Sequence, residues 1–254
     1  MPESNYFLGN REQWLIKKKG RFGASDTWKL FTAGSRPMTQ AELDARPLGP
    51  KGGLLDKRTT VPTMFGDLAL TLIRSKVCEI TSNEVDRQIN GNGIIKSMEW
   101  GVMNEGDGVE EFKRRTGLSV IYHGLSNPVF YPYGDYAGSS PDGDVIEESA
   151  GLEMKCPADE NVHMKRLCVK TVEEFKKDDF EAYCQCQTGM LHLNRDAWYF
   201  ASFDPRKKVP ELRMKIVKIL PDLEWQAEYK VRLEAAIEMM ADMLYESDKY
   251  LFVE

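Results

Sequence analysis

Three residues of this chain have the types and the spacing to hydrolyse a phosphodiester: Asp142, Glu153 and Lys155. Asp142 sits in the turn Ser140-Pro141-Asp142-Gly143, and eleven residues later comes Leu152-Glu153-Met154-Lys155-Cys156-Pro157. If the second stretch is a strand, its side chains alternate in direction, so Glu153 and Lys155 share one face and Met154 points to the other. Asp142 then enters from the preceding turn or strand. Two carboxylates and an amine converge at one end of a hairpin.

That set suits a hard divalent cation. Mg²⁺ takes oxygen ligands and keeps several waters, so Asp142, Glu153 and the backbone carbonyl of Met154 form a plausible partial ligand set. Mn²⁺ suits the same oxygens. The ion lowers the pKa of a bound water and neutralises phosphate charge. Lys155 has two candidate tasks: to orient or deprotonate the attacking water, or to stabilise the transition state by its charge. A Glu-x-Lys triplet alone carries little information, because the same pattern is a common surface ion pair on a strand edge. The Pro-Asp-Gly turn ahead of it adds weight.

The elements that must position these residues follow from pattern. The runs Val120 to Tyr122, Val129 to Tyr133, Asp144 to Glu148, Leu152 to Lys155 and Ala197 to Phe203 are strand candidates. Leu212, Met214 and Ile216 alternate with basic residues, as in a half-exposed strand. Helices are expected after Pro62, with Phe65, Leu68 and Leu72 on one face, and from about Lys96 to Arg115 despite Gly101, Gly106 and Gly108. Another is expected from Asp178, with Glu181 in capping-box spacing. The last, over 221–247, carries the stripe Trp225, Tyr229, Leu233, Ile237, Met240 and Leu244. Thr32 to Thr60, rich in Gly, Pro, Lys and Arg, reads as a long loop or mobile insertion. The expectation is a single α/β (α+β) domain over 1–254.

Composition narrows the class. The chain has 254 residues, 42% hydrophobic and 29% charged, an ordinary globular balance. No apolar run approaches the ~18 residues of a membrane span, and the N-terminus lacks a signal-peptide core, so a cytoplasmic protein is expected. Five cysteines without a CxxC pair argue against a disulfide framework or a zinc site. The net charge of −6 means that any nucleic-acid surface must be local. The basic runs that offer one are Lys17-Lys18-Lys19 with Arg21, Arg114-Arg115, and Arg206-Lys207-Lys208.

Six pieces of the sequence, in order, resemble the lambda exonuclease and YqaJ-type phage recombinase family of PD-(D/E)xK nucleases. They are Lys18 to Ser25; Trp100-Gly101-x-x-Asn104-Glu105; the Ser140 to Gly143 turn; Leu152 to Pro157; Gln185-x-Gln187-x-x-Met190; and Ala197-Trp198-Tyr199-Phe200 with Asp204-Pro205-Arg206. The resemblance implies a restriction-endonuclease-like core, a central mixed sheet flanked by helices. It implies a 5′-to-3′ exonuclease on double-stranded DNA ends that leaves 3′ overhangs for a single-strand annealing protein. It further implies a homotrimer, in a bacterial host.

The resemblance also implies residue roles. Glu105 would be a third carboxylate at the metal, for one or two ions, and Gln185 would position substrate or water. Lys18, Ser25 and Ser140 would hold the 5′-phosphate of the DNA end, with Arg21 able to compensate for lysine where the family commonly has arginine. Tyr183 stands one residue after the family's tyrosine position, about 100° around a helix. Two rival readings are a structure-specific or restriction-like endonuclease on the same fold and a catalytically silent DNA-end-binding subunit. A globular interaction protein is a third.

Overall fold

The computed structural model describes residues 3–51, 53–83, 96–124 and 127–246. In chain order the elements are α1 (Glu3–Lys18), β1 (Phe22–Gly23), a 3-10 segment (Ala24–Phe31), β2 (Gly34–Pro37), α2 (Gln40–Asp44), β3 (Thr60–Thr63), α3 (Asp67–Thr81) and α4 (Lys96–Thr116). Then follow β4 (Val120–Tyr122), β5 (Tyr131–Tyr133), β6 (Ala137–Ser139), β7 (Gly143–Val145), β8 (Ala150–Lys155), α5 (Glu160–Leu167), α6 (Val172–Asp178), α7 (Phe180–Leu193), β9 (Ala197–Phe203), β10 (Met214–Ile219) and α8 (Leu223–Tyr245).

Five strands form the central mixed sheet in the order β10-β9-β8-β7-β4, antiparallel except for the parallel pair β8–β9. A three-stranded sheet, β1-β6-β5, lies beside it and contains a second parallel pair, β1–β6. The fold is thus α/β with helices on mixed sheets. β9 is buried along its whole length, as expected of a strand covered on both faces. Trp198 and Phe200 join the core against α7 and α8; Tyr199, Ala201 and Phe203 join a second core with Val109 and Phe112 of α4.

Close helix–sheet approach depends on glycine. A Cβ on Gly108 of α4 would stand 2.8 Å from Met154 Sδ, and one on Gly189 of α7 would stand 2.4 Å from the Trp198 ring. Gly108, one of the three glycines that weaken α4 as an isolated helix, therefore lets it lie against the strand carrying Glu153 and Lys155.

Some expectations fail for physical reasons. Pro62 belongs to β3, not to a helix, because Thr60–Thr63 pairs with β2. α3 starts five residues later, and its buried face is Ala69, Leu72, Ile73 and Lys76, while Leu68 is exposed. Asp178 ends α6 rather than starting α7, and no side chain caps α7; the neighbouring Asp179 carboxylate accepts from Arg166 Nε at 2.8 Å. The stretch Thr32 to Thr60 carries β2 and α2, the latter closed by a capping box between Thr39 and Glu42. α8 closes the first core with Trp225, Tyr229, Leu233 and Met240, and packs along α3 and the 3-10 segment.

Candidate active site

The hairpin β7–β8 and the turn before it set the centre. The Asp142 amide donates to the Leu152 carbonyl at 3.0 Å, and the Met154 amide donates to Asp142 Oδ2 at 2.7 Å. Asp142 is therefore oriented by the backbone of the strand that carries the other two residues. The expected alternation holds: Met154 is buried in the α4-side core, while Glu153 and Lys155 face the other way and pair at 2.5 Å. Glu153 is 2% exposed along its side chain, whereas Lys155 is 37% exposed and opens to a cleft.

α4 brings the third carboxylate. Glu105 accepts a hydrogen bond from the Tyr122 hydroxyl at 3.0 Å. Burial and the nearby Glu153 push the Glu105 pKa up, although the Tyr122 bond and Lys155 pull it down. Burial pushes Asp142 well above the usual carboxylate range, and Glu153 and Glu105 add to that. Burial lowers the Lys155 pKa, but Glu153 and Asp142 outweigh it and hold the ammonium charged. Crowded, partly desolvated carboxylates are the electrostatic arrangement that a divalent cation relieves. Among the described residues no three acidic, His or Cys side chains already stand as a closed cage. Mg²⁺ needs none, since one or two carboxylates with waters suffice. The donor set fits the ion.

The cleft measures about 670 Å³ and its lining includes Asp142, Glu153, Lys155, Glu105 and Gln185. Its walls also include Lys18, Ser25 and Ser140. Eight of the nine side chains singled out in the sequence thus share one cavity. The ninth, Arg21, is not among the lining residues; its guanidinium donates to the Lys17 carbonyl at 2.5 Å. Lys18 and Ser25 flank Gly23, where a Cβ would lie 3.6 Å from Lys18 Cε and 3.9 Å from Ser25 Oγ. Burial lowers the Lys18 pKa.

Other expectations resolve differently. Gln187 is a core residue: its amide donates to the Leu220 carbonyl at 2.8 Å and its oxygen accepts from the Asp222 amide at 3.0 Å. Tyr183 is buried and donates to Asp222 at 2.7 Å, so both serve the start of α8. The basic runs beyond α1 are largely engaged in structure. Arg115 binds carbonyls of Pro210, Glu211 and Met214, Arg206 clamps Asp204 and the Pro157 and Ala158 carbonyls, and Lys207 pairs with Glu160 at 2.5 Å.

Residues not singled out from sequence also enter the cleft. Trp14 donates its indole N–H to Ser140 Oγ at 2.9 Å, and Lys18 Nζ lies 4.6 Å from the Trp14 ring centre. Their spacing of four on α1 is a signal the sequence contained. Arg11 lies one turn earlier and also lines the cavity. His123, whose Nε2 donates to Asp144 Oδ2 at 2.7 Å, had no such signal. Among the described residues no helix is long and apolar enough to cross a membrane.

Solved structures with the same fold include an alkaline exonuclease of Laribacter hongkongensis, 19% identical, with a TM-score of 0.65 over 94% of this chain and 97% of that one. The same enzyme in complex with dAMP gives 0.67 at 18% identity over the same shares. A phage-related exonuclease of Haemophilus somnus 129PT gives 0.61 at 16% identity, over 89% of this chain and 96% of that one. No curated protein matches the chain. The family model described as the YqaJ-like viral recombinase domain matches residues 67–196, just over half of the chain, including Glu105, Asp142, Glu153, Lys155 and Gln185. The chain belongs to the YqaJ-like viral recombinase family.

Proposed function

We propose that the protein is a Mg²⁺-dependent exonuclease that digests double-stranded DNA from 5′ ends, releases 5′-mononucleotides and leaves 3′ overhangs. The observation that carries this reading is the sharing of one cleft by the carboxylate–lysine cluster and by Lys18, Ser25 and Ser140. The exonucleases with the same fold support it.

Asp142, Glu153, the Met154 carbonyl and Glu105 would hold the ion, with Mn²⁺ as a substitute and one or two ions accommodated. When bound, the ion supplies Lewis acidity toward the scissile phosphate and toward the attacking water. The remaining tasks fall to the chain. Lys155, paired with Glu153 at 2.5 Å, orients or deprotonates the attacking water, or stabilises negative charge on the phosphate. Gln185 positions the water or the substrate. Lys18, Ser25 and Ser140 offer one cation and two hydroxyls to the terminal phosphate. The overhang is a substrate for a single-strand annealing protein, and a homotrimeric ring would keep the enzyme on its DNA.

The test compares linear duplex with covalently closed circular duplex in Mg²⁺. Digestion of the linear form alone, lost in EDTA and in Asp142→Asn, is the expected result. Cleavage of closed circles points to an endonuclease, and binding of ends without cleavage points to a silent end-binding subunit.

A further inference from the structure

We propose that Arg11 is the second cation of the site for the 5′-terminal phosphate and supplies the planar, two-pronged donor that Lys18 lacks. The inference rests on the reading that the cleft takes a phosphorylated DNA end.

Three observations carry it. Residues 11, 14 and 18 fall on one face of α1, since helical residues three, four and seven apart are stacked neighbours. All three line the cleft. Trp14 fixes where that face points, because its indole N–H reaches Ser140 Oγ, 126 residues away and two residues from Asp142. As Ser140 accepts from Trp14, its own O–H remains to donate to an anion. The face therefore addresses the turn that carries the reacting carboxylate.

Among the described residues the Arg11 side chain has neither an ion-pair partner nor a hydrogen bond. Three other cations near this region are engaged: Lys19 with the Ser82 carbonyl, Arg21 with the Lys17 carbonyl, and Arg195 with Asp144. A guanidinium facing a cavity without a counter-ion awaits an anion.

The chemistry demands such a group. The same cleft is lined by Asp142, Glu153 and Glu105, which repel a phosphate dianion. Lys18 must hold that anion while burial weakens its own charged form. Guanidinium keeps its proton at any physiological pH and meets two phosphate oxygens with parallel N–H bonds.

The test uses blunt duplexes that differ only in a 5′-phosphate or a 5′-hydroxyl. Wild type, Arg11→Ala and Arg11→Lys digest them in Mg²⁺ and bind them in EDTA. The wild-type preference for the phosphorylated end should fall roughly tenfold in Arg11→Ala, by loss on that duplex alone, with Arg11→Lys intermediate. The binding ratio should fall in parallel. An unchanged ratio, or an equal loss on both duplexes, overturns the role of Arg11 and leaves the phosphate reading standing. A wild type indifferent to the phosphate overturns that reading itself. Should Arg11→Ala fail to fold, the ratio in Arg11→Lys decides, since wild-type behaviour there contradicts a need for the two-pronged donor.

Discussion

The Met154 amide donates to the Asp142 carboxylate at 2.7 Å, so one strand both carries Glu153 and Lys155 and orients the first acid of the cluster. The bond constrains what a substitution can do. Asparagine in place of Asp142 retains an oxygen for the Met154 amide and loses the charge.

Asp142→Asn should therefore abolish hydrolysis, by on the order of a hundredfold or more, while stabilising the fold in the absence of metal. The sign follows from linkage. A carboxyl whose folded pKa is raised above its unfolded value contributes stability at low pH that is lost as pH rises through the folded value. Burial beside Glu153 and Glu105 makes a carboxyl at this position a liability as pH rises. Thermal melting in EDTA at pH 7.5 should show Asp142→Asn above wild type, and Mg²⁺ should raise the wild-type midpoint more than that of the variant.

Tyr122→Phe keeps the ring and removes the bond to Glu105. The Mg²⁺ concentration giving half-maximal activity should rise roughly tenfold, the usual scale for losing a partner of a metal ligand. The fold should be intact by circular dichroism. An unchanged Mg²⁺ requirement would remove Glu105 from the metal site.

His192 is a half-buried imidazole, held between the Ser139 hydroxyl at 2.9 Å and the Tyr229 hydroxyl at 3.0 Å, with Tyr133 stacked 4.2 Å away. Burial lowers its pKa to about 3. The unfolded chain protonates this residue near 6.5 and the native protein does not, so stability is present above about 6.5 and is lost as pH falls below it. Between pH 7 and 5 the loss attributable to His192 should be about 2 kcal/mol. Urea unfolding across that range should show a shallower pH slope for His192→Gln than for wild type.

Gly189 and Gly151 lie against the Trp198 ring; a Cβ on either would stand 2.4 or 2.5 Å from it. Trp198 cannot yield to one without meeting the other. Gly189→Ala should cost about 1–3 kcal/mol by overpacking, despite alanine's higher helix propensity. Chemical denaturation measures it.

The part of this site legible in the sequence is the part written in local pattern. Alternation along Leu152 to Lys155 places Glu153 and Lys155 together, and the turn at Ser140 to Gly143 supplies Asp142. The β9 run is read to the residue, because seven apolar or small residues leave no polar face to argue with. What fails depends on tertiary partners. Pro62 looks like a helix start until β2 claims its neighbours, and Asp178 looks like a cap until α6 absorbs it. Arg21 and Arg11 are equally basic in sequence. Only the fold decides that one closes its own turn while the other faces the cleft. Residues 84–95 lie outside the described residues.

The most direct test of the central claim is product analysis on linear duplex labelled at the 5′ or the 3′ end, with wild type and Glu153→Gln in Mg²⁺. Wild type should release label at once as 5′-mononucleotide from the 5′-labelled strand and only after a delay from the 3′-labelled strand, and Glu153→Gln should release none. Retained label with wild type, or undiminished release by Glu153→Gln, would contradict that claim.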